Sequence, residues 1–565
     1  MNVLASEAHQ AEFFASVRDG FGQAVGRAEP IAHHLRLAGT SIRLRFAGPA
    51  LGRTVMPALA HAVTAPTSAP DLDVCLWDSA STGVSLAAPR GHADLSGRGN
   101  IWGFESRRYK SAYQWGEGSI SVMDRDSNLA FYWAPTGEHL PPWVMGSPIR
   151  GILHWWMEKN GLQLVHAAVV GYGGRGALIP GRGGSGKSST AVACLAHGMQ
   201  FVGDDYVALA LDPEPRAYCL YGTAKLHPHS LEAFPELARS CRAETGPGFD
   251  KIILFPEGRY REQFASSLPL ACVLKPVVTG GPETSLGPAS AIDIERALAA
   301  ETLAHLPHAG PHTLAALERA VWALPRASLF LGADRARVAE AVRGAIQSPP
   351  VRSDPEPETK PMVSILIRLH DADPAPLRAL ASELEAQDYP RLEILLLADG
   401  GAVGLADEAA KVPFNVYFLP FNNNASKAHA WNRGVRDSFG ELIVFLEPGD
   451  RLAAGALRAM VEAAETATAA SLIRGAVEGG AGALGGAMIR KDAFRACGLF
   501  EIDAIFCGRE EIDWMERFKR QGLSEHRLQR ITLQGGNRDP ADVMYNRLGL
   551  HAMKERLDMI RRIRG

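Results

Sequence analysis

Three short stretches carry residues whose types and spacing could do chemistry. The first, "GRGGSGKSS" from Gly181 to Ser189, satisfies G-x-x-x-x-G-K-[ST]. Its glycines, Gly181, Gly183, Gly184 and Gly186, allow backbone N–H groups to converge on phosphate oxygens, with Ser185 and Ser189 in the same turn. Lys187 is spaced to reach the outer phosphates of a nucleotide, and Ser188 to ligate Mg²⁺. The second stretch, "VGDDY", supplies Asp204 and Asp205. One of these carboxylates can hold Mg²⁺ and the other can accept a proton from an attacking hydroxyl; which does which stays open. The third, "FLEPGD", places Glu447 and Asp450 where two hard oxygen ligands could hold Mg²⁺ or Mn²⁺.

These residues need elements to hold them. "RGALIPG" reads as a strand entering the phosphate loop and "SSTAVACLAHG" as a helix leaving it. A strand directly after that helix would bring Asp204 and Asp205 beside the loop. Motor and transporter ATPases place their acidic strand further downstream, and the "LSG" at Leu95 to Gly97 precedes the loop, the wrong order for a transporter signature. Upstream, to about Pro142, segments such as "SIRLRFAG" and "SISVMDRDSNLAFYWA" alternate apolar and polar residues, predicting a mostly β region with an early helix. "LPPWVMGSPIRGILHWWMEKNG" predicts a helix with Trp155 and Trp156 on a packed face. "ADRARVAEAVRGAI" predicts a closing amphipathic helix.

Gln347 to Pro361, "QSPPVRSDPEPETKP", is rich in proline and acid and nearly free of large apolar groups, so an extended linker is expected there. Beyond it, "MVSILIRL" opens an alternation of strands and helices that predicts a doubly wound parallel sheet with ligands at the carboxyl ends of strands. Asp399 and Asp450 fall at such ends. The last stretch, "RLGLHAMKERLDMIRRIRG", aligns Leu550, Met553, Leu557, Ile560 and Ile563 on one helical face, expected to dock on the preceding domain.

With 565 residues the chain is too long for one ordinary core. Its net charge of -3 gives no basic field for nucleic acid, so no nucleic-acid partner is expected. Seven cysteines without a C-x-x-C pair read as reduced thiols. No secretory signal and no apolar run long enough to span a bilayer is found, so a cytoplasmic protein is expected.

The block "HAAVVGYGGRGALIPGRGGSGKSSTAVACLAHGMQFVGDDYVAL" resembles the core of the HPr kinase/phosphorylase family. The match falls on His166, Gly181, Gly186, Lys187, Ser188, Asp204 and Asp205, and it implies that His166 belongs to the catalytic site. Relatives of this kind tailor small peptides, and the mostly β segment before the core resembles those more than HPr kinase itself. The glycine-rich segment with which the HPr-specific enzymes recognise their partner is not found, which argues against HPr as substrate and against phosphorolysis. Lys225 and Lys251 are further candidate cations for the phosphates.

From Met362 to about Asn537 the wording resembles family 2 glycosyltransferases of the GT-A fold, in "QDYP", "WNRG…GELIVFL" and "GLFEIDAIFCGREEIDWMERFKRQG". The resemblance implies that Asp399 contacts the nucleoside, that Glu447 and Asp450 hold the metal, and that Glu510 or Glu511 is the general base, with Asp513 nearby. The family's usual acid is replaced by Gly449, so the metal is expected to bind weakly.

The fold expected is therefore α/β. Residues 1–142 form a mostly β accessory region, 143–346 a P-loop kinase core of HPr-kinase type, 347–361 a linker and 362–565 a doubly wound GT-A-like domain. The function expected is a bifunctional tailoring enzyme. One half would transfer phosphate from ATP with Mg²⁺ to a hydroxyl of a peptide, protein or small molecule; the other would use a sugar nucleotide. The alternative is an ATP-gated binding protein whose degenerate transferase domain only recognises a substrate or partner. Oligomeric state stays open.

Overall fold

The computed structural model describes residues 6–86, 98–101, 104, 106–246, 249–351, 360–369, 382–384, 386–387, 389–398, 415–420, 427–447, 450–478, 484–502 and 509–534. Asp399, most of the linker and the final amphipathic stretch lie outside the described residues. The chain divides into two compact units, Ala5–Pro357 and Glu358–Gly565.

The first unit opens with a helix, Glu7–Val25, whose first turn is closed by Ser6: its hydroxyl accepts from the His9 amide. The helix lies against a six-stranded sheet of order β1-β2-β3-β6-β5-β4. The strands are β1 (Pro30–Leu37), β2 (Thr40–Ala47), β3 (Leu72–Asp78), β4 (Tyr109–Gln114), β5 (Ser119–Asp124) and β6 (Leu129–Ala134). Ala38 and Gly39, both at positive φ (48° and 81°), make the two-residue turn between β1 and β2. Phe14, Val17 and Phe21 of the helix pack on Trp77, Phe131 and Trp133 of the sheet.

The helix expected around Trp155 is two helices, Pro142–Gly146 and Arg150–Lys159. Pro148 offers no amide to continue the first, and Ile149 takes a left-handed φ of 46° before the second begins. The "GSP" signal was in the sequence; the apolar periodicity on both sides masked it. Trp155 and Trp156 are buried as expected, and Trp155 Nε1 donates to the Pro307 carbonyl at 2.8 Å.

The glycine-rich loop Gly181–Ser189 follows a strand of a nine-stranded sheet made by β7 (Gln163–Val165), β8 (Ala167–Tyr172), β9 (Arg175–Pro180), β10 (Gln200–Gly203), β11 (Val207–Ala210) and β12 (Arg216–Cys219) with three later strands. Beside it stands a three-stranded sheet of β13 (Ala224–Leu226), β14 (Arg242–Glu244) and β15 (Ile252–Phe255). The later strands are β16 (Ser267–Val278), β17 (Ser285–Gly287) and β18 (Arg326–Leu331). The main order is β10-β8-β9-β16-β12-β11-β7, with β18 parallel to β16. The helix Lys187–Ala196 buries an unbroken apolar run, Ala191 to Leu195, because it packs both on the sheet and against the helix Arg335–Gln347 through Val338 and Val342.

The second unit is a mixed eight-stranded sheet of order β21-β20-β19-β22-β25-β24-β26-β23. Its strands are β19 (Val363–Leu369), β20 (Leu392–Ala398), β21 (Asn415–Pro420), β22 (Leu442–Leu446), β23 (Arg451–Leu452), β24 (Ala470–Glu478), β25 (Ala487–Arg490) and β26 (Ser524–Gln534). The first four neighbours are parallel, as the strand–helix alternation predicts. The sheet then departs from the all-parallel expectation: β25 runs antiparallel to β22 and β24. The connection from β24 to β25 is too short for a crossover, so the chain must return antiparallel. At the entry to β22, Glu393 accepts from Ser364 Oγ and the amides of Phe439 and Gly440; a Cβ on Gly440 would stand 2.3 Å from Ser364 Oγ. Among the described residues no helix is long and apolar enough to cross a membrane.

Candidate functional site

Strand β9 delivers the chain to Gly181, and the helix Lys187–Ala196 carries it away after Gly186. Gly184 and Gly186 adopt φ of 78° and 97°, and a Cβ on Gly186 would meet Leu331 Cδ1 at 2.4 Å, so the turn requires glycine there twice over. Lys187 folds back: its Nζ donates to the Gly181 carbonyl at 2.5 Å, and burial pushes its pKa down. Ser188 Oγ donates to Asp204 Oδ1 at 3.0 Å. Ser185 Oγ is buried with no partner among the described residues.

The two aspartates occupy different environments. Asp204 is fully buried; its Oδ2 accepts from the Lys225 amide at 2.9 Å. Burial and the adjacent Asp205 raise its pKa. Asp205 sits at a left-handed φ of 72°, a conformation that aspartate tolerates better than most residues. Its Oδ2 meets Lys225 Nζ at 2.5 Å and its Oδ1 meets His166 Nε2 at 2.9 Å. Burial alone would raise the Asp205 pKa, but the Lys225 ammonium and the His166 contact hold it well below the ordinary carboxylate value. Burial and the Lys187 charge lower that of His166, favouring neutral imidazole, with Nε2–H donating to Asp205.

His166, Lys187, Ser188, Asp204 and Asp205 therefore come together, with Gly181 to Ser189 around them. A cavity of about 450 Å³ opens over this loop, lined among others by Lys187, Ser188, Lys225, His227, Lys251 and Arg335. The residues fit a magnesium nucleotide: Ser188 and Asp204 offer two oxygens to a hard cation, and Ser185 Oγ waits for a donor or acceptor. Lys225, expected as a further cation for the phosphates, is buried and paired to Asp205. Glu301 had no local signal: from the helix Ala291–His305 it accepts from the Gly183 amide at 3.2 Å.

In the second unit the residues expected for metal and base meet a lysine. Lys427 Nζ, from the helix Lys427–Asp437, lies 2.5 Å from Glu447 Oε1 and 2.6 Å from Glu511 Oε1. It also stands 4.2 Å from the centre of the Trp431 ring. Glu511 Oε2 accepts from the Leu484 amide at 2.8 Å. Asp450 Oδ2 accepts from the Glu447 amide at 3.0 Å. Glu510, Glu511 and Asp513 share the buried start of the helix Glu510–Arg520, and Asp513 pairs with Arg517 at 2.9 Å. That start is anchored by aromatics packed at tilted angles, Trp514 against Phe494 and Phe500, and Phe500 against Trp431. Asn432 exchanges two hydrogen bonds of 2.8 Å with the Phe500 backbone, fixing the lysine helix to the same wall. Among the described residues no group of three or more His, Cys, Asp or Glu side chains is arranged to hold a metal ion.

Comparison with known proteins places part of this second unit. Among solved structures, a crystal structure of S. aureus TarS 1–349 in complex with UDP-GlcNAc is similar at 11% identity and TM-score 0.28, covering 32% of this chain and 59% of that one. S. aureus TarS itself matches at 11% identity and TM-score 0.27, covering 32% and 38%. The complex of TarS 1–349 with UDP matches at 12% identity and TM-score 0.27, covering 32% and 62%. The chain thus spans less than two thirds of each of those structures. Among curated proteins none matches. Residues 364–494, the segment that contains Lys427, Glu447 and Asp450, match the family described as Glycosyl transferase family 2.

Proposed function

We propose that the chain is a bifunctional tailoring enzyme, in which an HPr-kinase-like half, 143–346, phosphorylates a hydroxyl and a transferase half, 362–565, uses a sugar nucleotide. The observation that carries the kinase reading is the Ser188–Asp204 hydrogen bond of 3.0 Å beside the phosphate loop, which pairs the two oxygens a nucleotide-bound cation needs. When bound, Mg²⁺ supplies charge neutralisation at the outer phosphates. Lys187 and the amides from Gly183 to Ser189 bind and orient those phosphates, with Ser188 and Asp204 as the cation ligands. Asp205 is the carboxylate left to take the acceptor proton. The acceptor oxygen attacks the γ-phosphorus, the bond to the β-phosphate oxygen breaks with its electron pair leaving on ADP, and the hydroxyl proton passes to Asp205. A carboxylate held at low pKa is a weak base, which suits a metaphosphate-like transition state that demands positioning more than basicity.

The match of residues 364–494 to glycosyl transferase family 2 supports the second half of the reading. Calorimetry of the full chain with ADP and Mg²⁺, followed by release of ADP from ATP in the presence of serine-containing peptides, tests the kinase. Binding that survives Lys187→Ala unchanged, or its absence from the wild type, sinks the assignment.

A further inference from the structure

The acidic centre of the second unit already contains a cation. Lys427 Nζ lies 2.5 Å from a Glu447 oxygen and 2.6 Å from a Glu511 oxygen. Divalent cations bind carboxylate oxygens at roughly 2.0–2.6 Å, so a metal shared by these two side chains would have to stand where the ammonium stands. The remaining expected ligand, Asp450, is buried, and its Oδ2 accepts from the Glu447 amide at 3.0 Å. A divalent cation shared by Glu447 and Glu511 therefore does not fit while Lys427 is in place.

We propose that Lys427 is the resident cation of this centre and that the centre takes no divalent metal. This rests on the transferase reading only for its consequence, that a donor diphosphate is met by an ammonium rather than by a metal ion. Two features support it. The ammonium is anchored from both sides by carboxylates that come from different parts of the chain. Its nitrogen also lies over the Trp431 ring, whose face attracts a cation.

The experiment is a Mn²⁺ titration of the full chain, followed by electron paramagnetic resonance. Wild type and Glu447→Gln are expected to give the same isotherm, because Glu447 contributes no metal site while Lys427 is present. Lys427→Met should gain one Mn²⁺ site, and the double variant Lys427→Met/Glu447→Gln should lose it again. A wild-type site removed by Glu447→Gln overturns the proposal, and this comparison needs no lysine variant to fold. A second arm titrates UDP into the Lys187→Ala protein, which silences the phosphate loop. UDP affinity unchanged between EDTA and Mn²⁺ supports the proposal; a tenfold tightening by Mn²⁺ overturns it. Failure of UDP, GDP and dTDP to bind in either condition removes the donor reading, whereas the Mn²⁺ isotherms alone decide the role of Lys427.

Discussion

Glu301 Oε1 accepts a hydrogen bond from the Gly183 amide at 3.2 Å, so a carboxylate holds one of the loop amides that a phosphate would engage. Burial would raise the pKa of that carboxyl, but His166 and His305 when protonated, the Lys187 ammonium and the Gly183 amide bring it below the ordinary value. A negative charge there would oppose the phosphates of the proposed nucleotide. Glu301→Gln should retain the hydrogen-bond acceptor and remove the charge, lowering the dissociation constant for ATP by about three- to tenfold, or on the order of 1 kcal/mol. Calorimetry with and without Mg²⁺ reads this directly; weaker binding would show that Glu301 supports the bound state instead.

The separation of roles between the two aspartates gives a sharper expectation. Asp205→Asn should bind ATP as wild type does and lose transfer by roughly 100- to 10,000-fold, while Lys187→Ala should lose binding itself. Lys225→Met should keep transfer at high pH but move its acid limb upward by about one to three units, since the ammonium beside Asp205 is what holds that carboxyl low. Lys225→Arg should restore most of the profile. An acid limb that does not move in Lys225→Met assigns the proton acceptor elsewhere.

These contrasts show which parts of the site were legible in the sequence. Gly181 to Ser189 announces itself because a strand, a glycine turn and a helix follow one another along the chain, and each has its own local signal. Asp204 and Asp205 follow because β10 comes directly after the helix. Glu301 could not be found this way: it is 118 residues from Gly183 and reaches the loop only through the packing of the helix Ala291–His305. Lys225 was legible as a candidate cation, but its burial and its pairing with Asp205 were not, because one lysine between strand residues has no periodicity to betray them. Lys427 was hidden for the same reason, as Glu511 lies 84 residues away. The parallel half of the second sheet was readable from strand–helix alternation, but the antiparallel β25 depended on the length of a connection. Local patterns report elements; they do not report what distant elements bring to a charge.

Buried neutral histidine makes the first unit sensitive to acid. His154 is fully buried, neither ring nitrogen has a partner among the described residues, and burial pushes its pKa down to about 4. Glu158 partly opposes that shift, and His312, His308 and Lys110 reinforce it. In the unfolded chain the same ring takes a proton near its ordinary value of 6.5. Its contribution is therefore complete above pH 6.5 and is lost as pH falls toward 4, by up to about 3 kcal/mol. Urea denaturation between those pH values should show stability rising with pH, by about 1.4 kcal/mol per unit for this one proton. His154→Phe should flatten that slope. An unchanged slope would assign the acid sensitivity to other groups.

The last prediction concerns the join between the two units. The two units divide between Pro357 and Glu358, inside the stretch from Gln347 to Pro361 whose prolines and acids leave little apolar surface to bury. The helix Arg335–Gln347 ends just before it, with Val342 and Ile346 committed to the core of the first unit. On the other side β19 begins at Val363, hydrogen-bonded between β20 and β22 and committed to the core of the second. A protease with broad specificity should cut between these two anchors first, because backbone on either side is held by ladders or helix and this stretch has neither to offer by composition. Mass spectrometry of the early products should give one piece ending, and another starting, between Gln347 and Pro361. Each piece should resist further digestion, since each carries its own buried core. A first cut inside β16 or the helix Lys187–Ala196, with 347–361 intact, would mean that the two units protect that stretch by packing it.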